Sequence, residues 1–349
     1  MPRQPVRKKR RGQRDLTADV HELRYEVGDD EHGSRLDAFI ARRVSWRSRS
    51  GVQNWIEEGM VEVRPFKDPQ KAPVAKMKVG LKLRTGQEVV VRQINPQPVT
   101  GDPSMDPGDL DIIFEDQWLV AVNKPPHINV HPSHGHLTGS LIHLIHERHR
   151  AIYGETDEMP TLCHRLDRET SGVVLCAKDG LGRTRLGRQF EARRIDKTYL
   201  ALVQGVMPED EGVMNWPLAK ALGAEVRLKM GVRVDGEGQA SKTEWKVMER
   251  FKDSTLVRLH PLTGRQHQLR VHLAHLGFPI LGDKLYLGGD QVFIRFLNDG
   301  LTDDDRALLV MDRQALHNWR LEIEHPYTGK PLCLEAPLFE DIEKRIHPD

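Results

Sequence analysis

Residues 164–179 read HRLDRETSGVVLCAKD. The second half, from Gly172 to Ala177, is a short apolar run that suits a strand buried on both faces. The first half is polar and places a carboxylate, Asp167, in a loop immediately before that strand. A loop anchored by a buried strand is rigid, and a rigid loop is where a catalytic side chain is held in position. Read alone, the same aspartate also suits a turn cap.

Outward from this stretch the texture is strands alternating with short helices. DIIFEDQWLVAVNKP (111–125), KTYLALVQG (197–205) and STLVRLHPL (254–262) read as strands, while LTGSLIHLIHERHR (137–150) and GRTRLGRQFEARR (182–194) read as helices. That order argues against a doubly wound parallel sheet. In PLTGRQHQLRVHLAH (261–275), Gln268, Arg270 and His272 alternate with Leu269, Val271 and Leu273. This predicts an extended edge or a short amphipathic element. Arg270 is a candidate partner for Asp167, since an adjacent cation keeps a carboxylate ionised; a plain phosphate contact is the alternative. Tyr199, near a strand start, is placed to stack on a base or exchange a proton, although tyrosines are common in strands for packing reasons.

The N-terminal part differs. Residues 1–14 hold seven basic residues and no acid, which reads as a disordered arm suited to polyphosphate, or as a solubilising or targeting tail. GSRLDAFIARRV (33–44) spaces Leu36, Phe39, Ile40 and Val44 helically, and Ser45 or Ser48 is placed to cap a second helix ending near Gly59. VEV (61–63) and GLKLRTGQEVVV (80–91) then predict short strands joined as a hairpin-like segment. Arg42, Arg43, Arg47 and Arg49 cluster at the helix junction. Residues 95–108 carry four prolines and two glycines, the composition of a linker. The expected organisation is a basic arm (1–18), a small α/β domain (19–94), a linker (95–110) and a larger domain (111–345).

Bulk properties narrow the function classes. A chain of 349 residues exceeds one ordinary core, and 38% hydrophobic with 30% charged residues describes a soluble protein. Neither a membrane-length apolar run nor a secretory leader is legible, and three cysteines (Cys163, Cys176, Cys333) make no disulfide framework or zinc spacing. A cytoplasmic monomer is the expectation. His127, His131, His134, His136, His143, His146 and His149 crowd one segment, yet HExxH is absent, so solvated or RNA-facing histidines are expected rather than a metal site. Phosphate-loop and dinucleotide motifs are absent as well.

Taken together, HRLDRETSGVVLCAKD (164–179), KTYLALVQG (197–205) and LTGRQHQLRVHLAHLGFPILGDKLY (262–286) closely resemble the signatures of the RluA-type pseudouridine synthases. DIIFEDQWLVAVNKPPHINVHPS (111–133) looks like that family's first strand pair and loop. RLDAFIARRVSWRSRSGVQNWIEEGMVEV (35–63) resembles the αL RNA-binding domain shared with ribosomal protein S-four, with 64–77 as an insertion-like departure. The resemblance implies an α+β catalytic domain with a largely antiparallel mixed sheet and a central cleft. It puts the nucleophilic aspartate at Asp167, the active-site tyrosine at Tyr199 and the aspartate-pairing arginine at Arg270. Arg165 falls where the family's arginine enters the RNA helix as the target base leaves. Arg265 and His267 in the cleft, with Arg35, Arg42, Arg43, Arg47 and Arg49 on the small domain, complete the expected RNA contacts.

The implied reaction breaks the N-glycosidic bond of uridine, turns the uracil and rejoins it through carbon 5. No net oxidation, hydrolysis or phosphoryl transfer occurs, so no cofactor or metal is expected. A carboxylate suits this chemistry, by attack on the ribose or by removal of a sugar proton. The target must leave its helix to be reached. Structured RNA is the expected partner, large-subunit ribosomal RNA before transfer RNA. Two rival readings make different predictions: a metal-dependent RNA hydrolase would stop with chelator and cleave RNA. A non-catalytic RNA-binding factor would work unchanged with Asp167→Asn.

Overall fold

The computed structural model describes residues 20–43, 49–65, 77–94, 105–131, 139–154 and 158–347. The chain divides into two compact units, residues 14–99 and a larger one from residue 100 onward. The expected basic arm, Val44, Ser45, Arg47, Ser48, most of the insertion-like stretch, His134 and His136 lie outside the described residues.

In the smaller unit, β1 (Val20–Glu26) precedes α1 (Leu36–Arg43), α2 (Arg49–Glu57), β2 (Val61–Pro65) and β3 (Gln87–Ile94). The helices form where expected because Leu36, Phe39 and Ile40 recur at helical spacing and are wholly buried with Val52, Trp55 and Ile56. Each such side chain contributes about 1.5–3 kcal/mol. The strands correct the sequence reading in two ways. The sheet order is β1-β3-β2, so β3 is central, flanked by β1, which was not foreseen. Residues 81–83 are not a strand: only Lys82 bridges to Arg35. β1 escapes pattern reading because VHELRYE is mostly polar, and its pairing with Val89–Val91 is decided by the partner strand.

The larger unit is α+β. It runs β4 (Ile112–Glu115), β5 (Leu119–Lys124), α3 (Leu141–Tyr153), β6 (Thr161–Leu162), β7 (Ser171–Ala177), α4 (Gly180–Glu191) and β8 (Asp196–Gln204). Then follow β9 (Glu211–Met214), β10 (Leu218–Lys220), β11 (Met230–Val232), β12 (Thr243–Arg250), β13 (Ser254–Pro261) and α5 (Gln268–His275). It closes with α6 (Gly289–Asn298), α7 (Asp303–Leu309), β14 (Leu316–Glu324), β15 (Pro331–Glu335) and α8 (Glu340–Ile346). The main sheet has the order β4-β5-β7-β14-β8-β13-β12-β9, with β15 on β14 and β6 on β7. Among the described pairings in it, β7 with β14 is parallel and the others are antiparallel.

That parallel contact sits where Asp167 enters. β7 is buried along its whole length, as its apolar run predicts. At its start Gly172 has φ 111°, and a Cβ there would stand 2.2 Å from the Asn318 carbonyl oxygen. Only glycine allows β7 and β14 to approach so closely. One apolar cluster gathers around β8, β13 and α5, a second around β5, β7 and α4. Asp167 precedes a strand of the second cluster, while Arg270 stands on a helix of the first.

Two further expectations are corrected. Residues 268–275 form a helix rather than an extended edge, and Gln268, Arg270 and His272 are buried with their apolar neighbours. Their polar atoms are satisfied inside. Gln268 accepts from Thr263 Oγ1 and the Arg265 amide and donates to the Lys242 carbonyl, and His272 bonds Thr243 Oγ1 and the Trp216 carbonyl. His143, His146 and His149 are buried on α3, not solvated. His146 Nε2 meets the Pro160 carbonyl at 2.8 Å, and burial pushes its pKa down to about 4. His127 and His131 are exposed as expected.

Candidate active site

A cleft of about 840 Å³ opens over the segment before β7. Its lining brings together Arg165, Asp167, Tyr199, Arg265 and His267, which are up to about a hundred residues apart in sequence. Tyr199 is on β8, between Leu259 of β13 and Asn318 of β14, so the sheet itself presents the phenol.

The Asp167 side chain is 37% exposed, toward the cleft, and Arg270 Nη1 donates to its Oδ2 at 2.9 Å. Arg270 is held from behind by Asp283, which is wholly buried. Arg270 Nε reaches Asp283 Oδ2 at 2.6 Å and Nη2 reaches Oδ1 at 2.8 Å, a bidentate fork that leaves one guanidinium nitrogen for Asp167. Asp283 Oδ1 also accepts from the amides of Leu285 and Tyr286, each at 3.0 Å. Burial by itself raises the Asp167 pKa, but the Arg270 charge and hydrogen bond, together with His267 and a Gln314 hydrogen bond, outweigh it and hold the carboxylate below its ordinary value. The ionised form is therefore the resting form at neutral pH. Between its two carboxylates, Arg270 has its own pKa raised despite burial.

Three buried basic side chains brace the backbone that carries Asp167. Lys124 donates to the carbonyls of Pro125, Ile128 and Arg168 at 2.7, 3.0 and 3.0 Å, tying the end of β5 to this loop. Burial, with Arg313 nearby, lowers its pKa to about 7. Lys284 pairs with Glu169 at 2.7 Å. Arg313 grips Asp341 with two bonds and reaches Ser171 Oγ at 3.0 Å. Gln314 donates to Thr170 Oγ1 at 2.5 Å. A loop held at Arg168, Glu169, Thr170 and Ser171 cannot drift, which is the preorganisation a catalytic carboxylate needs.

The Tyr199 phenol has its pKa raised by burial and by the Asp167 charge, so it stays protonated. It offers an aromatic face and a hydrogen-bond donor, not a base. Arg165 is exposed on the cleft lining. Arg265 Nε meets the Ala240 carbonyl at 3.3 Å. The described residues contain no cluster of three or more histidine, cysteine or acidic side chains arranged to hold a metal.

The sequence model of the RNA pseudouridylate synthase family matches residues 118–275, spanning Asp167, Tyr199 and Arg270. Along nearly its full length the chain is similar to an uncharacterized RNA pseudouridine synthase of Bacillus subtilis (strain 168), YlyB. The two are 32% identical over 328 residues, 94% of this chain and 98% of that one. This chain is an RNA pseudouridine synthase of the RluA type. The synthase is also 33% identical over 322 residues to the ribosomal large subunit pseudouridine synthase D of Nitrosomonas europaea, covering 90% of this chain and 84% of that one. Among solved structures it resembles human RNA pseudouridylate synthase domain containing 4, with TM-score 0.54 and 27% identity over 68% of this chain and 92% of that one.

In the smaller unit of the synthase the expected RNA-contacting arginines are not equivalent. Arg35 and Arg49 both pair with the wholly buried Asp37, at 3.1 and 2.9 Å. Gln53 adds a third bond, and although burial opposes ionisation these partners drive the Asp37 pKa well down. Arg43 pairs with Glu31 at 2.5 Å and lies 3.7 Å over the Phe39 ring, while Arg42 reaches the Ala38 carbonyl and Ser34. Asp283, Tyr286, Lys124, Arg313 and Lys284 were missed as site residues. Asp283 and Tyr286 fall within the GDKLY string that resembles the family, but only the fold reveals what they touch.

Proposed function

We propose that this synthase converts specific uridines of large-subunit ribosomal RNA, with Asp167 as nucleophile on the flipped nucleotide and no cofactor. The single observation that carries the catalytic part is the aspartate itself: ionised, open to the cleft and oriented by an arginine locked to a second carboxylate. In the reaction the bond from ribose C1′ to N1 breaks, the uracil turns, C1′ bonds to C5, and the C5 proton is replaced by one on N1. Atoms balance with no other reactant, so side chains suffice. Tyr199 stacks under the uracil as a neutral phenol. Arg165, exposed at the rim, fills the stack vacated by the target base.

The ribosomal assignment is supported by relatives named ribosomal large subunit pseudouridine synthase D, such as that of Pseudomonas aeruginosa at 32% identity over 332 residues. Residues 19–94 act as the αL-type RNA-binding domain, 95–110 as a linker and 111–345 as the catalytic domain. Arg42 and Arg43, with Arg35 and Arg49 set by Asp37, give the smaller unit a basic surface for phosphates.

The test is pseudouridine mapping of total RNA from cells with wild-type protein, with Asp167→Ala, and with none. Discrete ribosomal sites lost in both deficient strains support the proposal. Lost transfer RNA sites overturn the substrate part. Purified enzyme with chelator on transcribed large-subunit RNA decides the catalytic part: pseudouridine formed by the wild type but not by Asp167→Ala supports it, and equal formation overturns it.

A further inference from the structure

His267 is built into the cleft in a way that RNA backbone contact does not require. It precedes α5 with φ 55° and ψ 17°, a left-handed conformation unusual for a residue with a side chain. Its Nδ1 lies 2.9 Å from the Tyr286 hydroxyl. The same hydroxyl oxygen accepts the Met230 amide of β11 at 3.0 Å.

These contacts decide the tautomer. Burial raises the Tyr286 pKa, so the phenol keeps its proton. With the Met230 N–H already pointing at the phenol oxygen, the phenol hydrogen needs an acceptor, and His267 Nδ1 is the one within reach. Were Nδ1 protonated instead, the two hydrogens would face each other or the phenol hydrogen would be left without a partner. Burial lowers the His267 pKa to about 4, so at neutral pH the ring carries one proton, and it is on Nε2. Nε2 has no partner among the described residues and is absent from their buried unsatisfied atoms, so it opens on the cleft that His267 lines.

Asp283 ties this arrangement to the catalytic pair. The carboxylate that forks Arg270 also holds the Tyr286 backbone amide. One buried group therefore sets both the arginine that holds Asp167 and the tyrosine that orients His267.

We propose that His267 reads the base: its Nε2–H donates a hydrogen bond to a carbonyl oxygen of the target uracil in the cleft beside Asp167. A neutral donor suits this role, because it binds a carbonyl without competing with Arg270 for the carboxylate. At the 4 position uracil offers an acceptor where cytosine offers an amino donor, so a fixed donor there favours uridine over cytidine. The proposal rests on the reading of Asp167 as the reacting group.

The experiment is single-turnover kinetics at saturating RNA with His267→Ala, His267→Gln and Tyr286→Phe. Each is assayed on RNA carrying uridine, 2-thiouridine or 4-thiouridine at the target position. His267→Ala is expected to slow the uridine reaction roughly tenfold to a hundredfold with RNA affinity and its salt dependence unchanged. His267→Gln, which keeps an N–H donor, recovers part of the rate. Tyr286→Phe, which frees the tautomer but keeps the histidine, loses severalfold. At one thio position the wild type is slowed more than His267→Ala, because sulfur weakens a bond the variant no longer has; intrinsic effects of sulfur cancel in that ratio.

Equal slowing of wild type and His267→Ala at both thio positions overturns the proposal. So does a loss confined to RNA affinity with a shallower salt dependence, which marks a phosphate contact. Asp167→Ala on the same RNA separates the two claims: an active Asp167→Ala fails the catalytic reading whatever the histidine variants do.

Discussion

Replacing Arg270 with methionine tests the electrostatic core of the site. The side chain is similar in length and removes one positive charge from between two carboxylates, Asp283 wholly buried and Asp167 at the cleft floor. Removing the partner of a buried ion pair costs about 3–5 kcal/mol, because the charge left behind is neither solvated nor neutralised. For a unit of this size about 2–4 °C accompanies each kcal/mol, so its melting transition should fall by roughly 6–20 °C. The rate carries a second signature. In the wild type Arg270, as the main opposing group, helps keep the Asp167 pKa below its ordinary value, so the acid limb of the pH–rate profile lies below about pH 4. Without Arg270 the effect of burial is opposed far less, the folded pKa rises, and activity is lost at higher pH as the solution is acidified. The stability sign agrees: the depressed wild-type pKa stabilises the fold above the unfolded pKa and ceases to as pH falls through the folded one. Arg270→Lys should recover part of the melting temperature, since a point charge cannot fork to Asp283 and still reach Asp167. The assay is single-turnover pseudouridine formation from pH 4 to 9 beside thermal melting. An Arg270→Met protein with wild-type melting and an unmoved acid limb would refute the reasoning.

Other outcomes follow from the same geometry. Gly172→Ala should cost more than about 3 kcal/mol or yield insoluble protein, since its Cβ would stand 2.2 Å from the Asn318 oxygen; soluble protein with unchanged melting would contradict this. Tyr199→Phe should keep RNA affinity and show the same basic side of the pH–rate profile as the wild type up to about pH 10, because the raised phenol pKa rules out a phenolate there. His146→Gln should lower the melting temperature while leaving activity per folded molecule unchanged, and chelator should leave both proteins active, in line with a buried packing histidine on α3.

Much of this protein was legible in its residues. The apolar run after HRLDRETSG set a buried strand behind a polar loop, because seven consecutive buried positions leave their mark on composition. Helical spacing of Leu36, Phe39 and Ile40 announced α1, since one face of a helix must meet a core. Pattern reading stopped where partners decide the outcome. The alternation at 268–273 suggested an extended edge or a short amphipathic element, yet that segment is a helix buried on its polar positions too, whose polar atoms are satisfied by residues such as Thr243, Trp216 and Asp283. β1 formed because β3 offered an edge, a fact about the neighbour and not about VHELRYE.

By itself, then, the sequence determined the buried strand behind the Asp167 loop and the apolar face of α1, both carried by local residue type and spacing, and it carried the motifs whose family resemblance implied the α+β class. The pairing of Arg270 with Asp167 across 103 residues was expected from the sequence, but tertiary structure alone decided that Asp283 locks Arg270 from behind. It also decided that Tyr286 orients His267 and that three helical histidines are core. The reason is physical: burial, charge and proton position belong to a side chain's surroundings, and those exist only once distant strands have closed on one another.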